Sequence, residues 1–133
     1  MDEILVPTAP GELIDKLTIL QLKSERIDDP AKLENVRREQ ARLETTARTH
    51  LPDRDDLTAL RADLYRINAA LWQIEDDIRI CEAQRDFGER FVDLARAVYV
   101  TNDRRAAVKK AINLALGSDL VEEKSYADYG AEQ

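Results

Sequence analysis

Little in this chain can staple, break or stack. It holds one cysteine, Cys81, in 133 residues, so an internal disulfide is excluded and a reducing compartment is expected. The four prolines (Pro7, Pro10, Pro30 and Pro52) all precede residue 53, which leaves the rest of the chain without its strongest helix breaker. Aromatic residues make up 5%, too few for the stacking platforms that hold single-stranded nucleic acid. One histidine, His50, with no cysteine or second histidine beside it, does not make a zinc site of the usual kind. No metal and no cofactor are expected.

Long apolar runs are missing too. None approaches the roughly 20 residues that cross a bilayer, so membrane insertion is not expected. The opening stretch MDEILVPTAPGE is acidic and lacks the basic region and apolar centre of a secretory leader. A cytoplasmic location follows as the expectation. Positive charge is in deficit: the formal net charge is −7. Broad binding to a phosphate backbone depends on Lys and Arg displacing counterions, and nucleic acid is not an expected partner. Gly-rich phosphate loops, nucleophile elbows, HExxH and EF-hand patterns do not occur. The chain therefore reads as a non-enzyme more readily than as an enzyme.

What is present is helical periodicity. Leu57, Leu60, Leu64, Ile67, Leu71, Ile74, Ile78 and Cys81 step 3-4-3-4-3-4-3, which keeps one apolar stripe on one side of an α-helix. The spacing predicts an unbroken helix from about residue 55 to 85. Before it, Leu13, Leu17, Leu20, Ser24 and Ile27 predict a helix over 10–27. Leu33, Val36, Gln40, Leu43, Ala47 and His50 predict another, opened by Asp29-Pro30. Short loops between such helices require antiparallel neighbours.

Chain length supports one domain over 1–133, with 118–133 a partly irregular tail whose last residues are mobile. The fold class is all-α: an antiparallel bundle of about five helices around a long central heptad helix, with a short extended segment at the N-terminus. At about 1.5 Å per residue the long helix spans roughly 45 Å, against 27–30 Å for the two before it. Its far half needs cover, from a helix carrying Phe87, Phe91, Leu94 and Val98 or from a second copy of the chain. A homodimer is expected. Thr101-Asn102-Asp103 reads as a cap and turn before a fifth helix with Val108, Ile112 and Leu116, ending at Gly117.

Two clusters are candidate sites for a ligand or partner. Asn68, Trp72, Glu75, Asp76 and Arg79 share one face of the long helix. There an arginine can hold an anion, or the Trp can simply pack while Glu75 and Arg79 pair. Tyr99, Asn102, Asp103, Arg104, Arg105 and Lys109 form the second, with Arg105 and Lys109 one turn apart and able to clamp a phosphate or carboxylate. A basic face neutralised by Asp119, Glu122 and Glu123 explains the same residues. Glu12, Asp15 and Lys16 are secondary candidates, since acidic groups also favour a helix start for its dipole alone.

Three segments, PGELIDKLTILQLKSERI (10–27), LWQIEDDIR (71–79) and VYVTNDRRAAVKKAINLALGSDLVEEKSY (98–126), resemble a family of small bacterial proteins catalogued only as a domain of unknown function. The likeness spans nearly the whole chain, and its third segment is the most specific. Members occur near, or fused to, glycosyltransferases of lipopolysaccharide and surface-polysaccharide assembly. The resemblance implies an accessory role there, with a glycosyltransferase as partner. It carries over no catalytic residues, and it places Glu12, Asp15, Lys16, Trp72, Glu75, Asp76, Arg79 and Asn102 to Arg105 in the family's motifs. IDKLTILQLKSER is also similar to the first helix of helical chorismate mutases, which bind a dicarboxylate through cations such as Arg26, Arg79, Arg104, Arg105 and Lys109 would supply. That match ends with the first helix. The expected role is an interaction module; the alternative is a small enzyme or binder of an anionic metabolite.

Overall fold

The computed structural model describes residues 1–130; the expected mobility of the final residues concerns positions 131–133, outside the described residues. Four helices follow one another: α1 (Pro10–Arg26), α2 (Pro30–His50), α3 (Asp55–Ala83) and α4 (Glu89–Ala115). No strand occurs among the described residues, and residues 1–9 run without regular structure, tied to α2 by a Glu3–Arg42 ion pair.

Local chemistry sets the boundaries. Pro10 and Pro30 open α1 and α2, and the Asp29 side chain accepts a hydrogen bond from the Ala31 N–H at 3.1 Å. α3 starts on Asp55 and Asp56, which suit the positive helix end. It ends at a reverse turn where Arg85 takes φ 53° and the Asp86 N–H donates to the Cys81 carbonyl, the six-to-one bond of a Schellman cap. α4 closes the same way on Gly117, φ 61°, with the Ser118 N–H donating to the Asn113 carbonyl.

The expected break at Thr101-Asn102-Asp103 is corrected: α4 passes through it, so the bundle has four helices rather than about five. Asn and Asp cost a helix interior only a few tenths of a kcal/mol each. Neither Gly nor Pro lies between Glu89 and Ala115, and packing along α3 carries α4 over the weak spot.

α1 is the hub, packed on α2, α3 and α4, whereas α2 packs its backbone only on α1. It therefore needs two buried stripes and has them. Leu13, Leu17 and Leu20 are buried, the first two against Ala47 and Leu43 of α2. Gly11, Asp15, Thr18 and Leu22, at spacings of 4, 3 and 4, are all buried as well, and the polar members bond to α3 and α4. Ile14 joins Leu57, Leu64 and Ile112 in the main core, and Leu51 in the α2–α3 turn touches both clusters. Side chains such as Leu17 and Leu64, fully buried, contribute about 1.5–3 kcal/mol each.

The α3 stripe is buried or half-buried at every expected position, Leu57 through Cys81. α1 ends beside Trp72, where the Arg26 guanidinium lies 5.6 Å from the ring centroid. Beyond that point α3 and α4 continue alone as a two-helix arm over residues 73–98. The first half of α4 supplies the cover that the overhang of α3 required, through half-buried Phe91, Leu94 and Val98. Only Cys81 is fully buried in the arm, and Ile80, Phe87 and Val92 stand about half exposed.

Candidate functional site

The chemistry of this fold gathers where the second stripe of α1 meets α3 and α4. Asp15 is 3% exposed and is the best-connected acid in the chain. Its Oδ1 accepts from Asn68 Nδ2 and from Arg105 Nε, both at 2.9 Å, and its Oδ2 accepts from Arg105 Nη2. Asn68 Nδ2 also donates to Thr18 Oγ1 at 2.8 Å, and that hydroxyl donates to the Asp15 carbonyl. Three helices are thus joined through one carboxylate. The bidentate hydrogen bond to Asp15 raises the Arg105 pKa further above its ordinary range, against the opposing effect of burial.

One turn along, Lys109 Nζ lies 2.6 Å from Glu12 and 2.9 Å from Glu122. Burial disfavours its charge, but hydrogen bonds to the two carboxylates outweigh burial and raise its pKa. Hydrogen bonding with the neighbouring Glu12 carboxyl, and then with the Lys109 ammonium, lowers the pKa of Glu122. A further turn on, the Gly11 N–H donates to Asn113 Oδ1 at 2.8 Å. A Cβ on Gly11 would sit 2.5 Å from the Lys109 carbonyl oxygen, so only glycine lets α1 and α4 approach this closely. No buried side-chain nitrogen or oxygen lacks a partner among the described residues.

The tail lies across this cluster. After Gly117 it runs back along α4: Glu122 on Lys109, Glu123 on Lys110 at 3.4 Å, Lys124 at 3.8 Å from Asp103, and the Tyr129 hydroxyl donating to Asp103 at 2.6 Å. The Tyr129 ring meets Tyr99 edge-on, centroids 5.2 Å apart. That hydrogen bond to Asp103 raises the Tyr129 pKa.

The residues singled out from sequence therefore fall into three groups. Asn68, Arg105 and Lys109 enter the network with Glu12 and Asp15, while Tyr99 and Asp103 hold the tail; Asn102 is half-buried between them and Arg104 is exposed. Lys16, 60% exposed, pairs with Glu39 of α2 at 3.6 Å. Trp72, Glu75, Asp76 and Arg79 lie apart: Trp72 stacks under Arg26, Arg79 pairs with Glu75 at 3.3 Å along the same helix, and Asp76 is exposed. None of Trp72, Arg79, Arg104 and Arg105 lines either of the two depressions described next. Thr18, Asn113 and Gly11 were missed. For Gly11 and Thr18 the signal was the 4-3-4 spacing of Gly11, Asp15, Thr18 and Leu22, a second stripe hidden by its polar members; Asn113, on α4, had none.

Concavity is slight. Among the described residues, one shallow open depression is lined by Gln21, Thr58, Arg61 and Tyr65 and another by Glu89, Arg90, Asp93 and Leu94; neither contains the network. No group of three or more His, Cys, Asp or Glu side chains is placed to hold a metal ion among the described residues, and none of their helices is long and apolar enough to cross a membrane.

No curated protein and no solved structure matches the chain. Residues 4–130 match the model of a family described as a family of unknown function, DUF6165. Since that match takes in the arm, the network and the tail alike, the chain belongs to this family of unknown function.

Proposed function

We propose that this protein is a helical interaction module that works as a homodimer in the cytoplasm and serves a glycosyltransferase of lipopolysaccharide or surface-polysaccharide assembly. The observation that carries the module reading is the arm: two helices and their turn, with Ile80, Phe87 (in the turn) and Val92 about half exposed and almost nothing fully buried between the helices. A two-helix hairpin has too little cover for its stripes, and a second arm packed across a two-fold axis completes a four-helix bundle. The paired charges of the network support the same reading. Asp15, Arg105, Lys109 and Glu12 neutralise one another inside the fold, an arrangement that fixes helix positions rather than leaving groups free for chemistry. The glycosyltransferase partner rests on the family resemblance alone.

Light scattering across a dilution series tests the dimer. The intact chain runs at twice its 15.2 kDa mass, and an Ile80→Glu/Val92→Glu variant runs as a folded monomer. A monomeric intact chain at micromolar concentration sinks the arm as the self-association surface. For the partner, co-sedimentation with a purified lipopolysaccharide glycosyltransferase is the measurement, and independent sedimentation rejects that assignment.

A further inference from the structure

The C-terminal tail lies extended along one face of α4 and meets it through side chains. Apart from half-buried Val121, every residue from 119 to 130 is exposed. None of them makes a backbone–backbone hydrogen bond among the described residues. What holds the segment is the tips of its side chains: two glutamates on Lys109 and Lys110, Lys124 on Asp103, and Tyr129 on Tyr99 and Asp103. Glu122 also acts electrostatically on Arg105. The covered face thus has a fixed order, a basic end and, two turns of α4 away, an aromatic and acid-lined end. No described residue of the tail belongs to either apolar cluster or bonds to Asp15.

We propose that residues 118–130 are a displaceable strap, and that the seat of Tyr99, Asp103, Lys109 and Lys110 takes from a partner protein an extended segment of the same chemistry: paired acidic residues followed by a tyrosine. The proposal rests on the interaction-module reading and names a second surface, distinct from the arm. Charge complementarity selects the occupant. A tethered segment competes at a high local concentration, so the incoming one binds only when it matches the seat better or when the strap is loosened. Release needs no unfolding of the helices: the Glu123, Lys124 and Tyr129 contacts lie near the surface, where salt screens charge, and Lys109, its side chain 11% exposed, keeps Glu12 when it gives up Glu122.

The test uses the full chain and a labelled peptide of sequence SDLVEEKSYADYG, read by fluorescence anisotropy. In Glu122→Gln/Glu123→Gln, tryptic cleavage after Lys124, which is held on Asp103 in the intact chain, speeds up while the circular dichroism of the helices is unchanged. The peptide then binds this variant about tenfold or more tightly than the intact chain, because the cis competitor is weakened. A scrambled peptide does not bind, and about 0.5 M salt abolishes the interaction. Unchanged cleavage in the variant overturns the strap. A loosened strap with no peptide binding overturns the seat. A dimer of the intact chain that disappears in Glu122→Gln/Glu123→Gln overturns the partner assignment in favour of tail exchange between copies. An arm dimer survives that variant, so failure here is distinguishable from failure of the module reading.

Discussion

The two ends of this molecule solve opposite problems. At the α1 end four helices meet, apolar side chains are buried, and room is left for a carboxylate with three side-chain donor bonds. At the arm end two helices meet, charges stay on the surface, and apolar side chains remain half in water. Polar residues are inside where the fold is thick, and apolar ones outside where it is thin. Burial is therefore set by the number of helices at a level of the bundle rather than by residue type. The difference also separates stability from interaction: the thick end holds the fold, and the thin end offers surface.

Breaking the thick end gives the largest effect. Asp15→Ala takes the acceptor of Arg105 and one of the two acceptors of the buried Asn68 amide, which keeps Thr18. Stripping one partner from a buried ion pair costs about 3–5 kcal/mol, and the lower figure applies because Arg105 is half-buried. Urea denaturation checks it, and an Asp15→Ala/Arg105→Ala cycle gives the coupling between the pair. A loss below about 1 kcal/mol would show that the pair is as weak as a surface bridge. Gly11→Ala comes next. A helical glycine replaced by alanine ordinarily gains stability, but here the Cβ meets the Lys109 carbonyl, so the variant loses about 1–3 kcal/mol. A gain would mean that α1 and α4 sit farther apart than described.

How much of this contrast was written in the sequence depends on periodicity. The unbroken α3, the proline starts of α1 and α2, and the overhang of α3 follow from 3-4 spacing and breakers, which are local. The end of α4 at Gly117 was legible for the same reason. Thr101-Asn102-Asp103 was misread because its cap preference is also local, while the packing that overrides it comes from α3, far along the chain. The network was only half legible. Arg105 and Lys109 stood out as paired cations one turn apart, but their acceptors sit about ninety to one hundred positions earlier in the chain (Asp15 and Glu12), and no spacing rule connects them. Asp15 at a helix start was explained by the dipole, a sufficient local reason that concealed a stronger tertiary one.

Smaller effects sharpen the comparison at its thin end. Arg85, the turn residue joining α3 to α4 in the arm, holds φ 53°, where glycine has no Cβ penalty. Arg85→Gly stabilises the chain by about 0.4–1 kcal/mol in urea denaturation, and a loss would show that the Arg85 side chain has a role at the arm tip.

The smallest effect on global stability comes from the tail, and it has a sign that pH reveals. The depressed pKa of Glu122, caused by hydrogen bonding with Glu12 and then with Lys109, means that its ionised form is favoured in the folded chain. Its contribution is fully present above the ordinary glutamate range of about 4–4.5 and is lost as pH falls through the lower folded value. The groups facing it are Glu12 and Asp15 of α1, Arg105 and Lys109 of α4, and Lys124 of the tail itself. The cations keep their charge throughout that window, so the carboxyls alone decide the outcome. Proteolysis at the Gly117–Ser118 hinge should therefore accelerate below about pH 4, with the far-ultraviolet circular dichroism of the helices still intact. If cleavage and helix loss follow one pH curve, tail and body unfold as a unit, and the separation between a strap held by charge and a bundle held by packing does not exist.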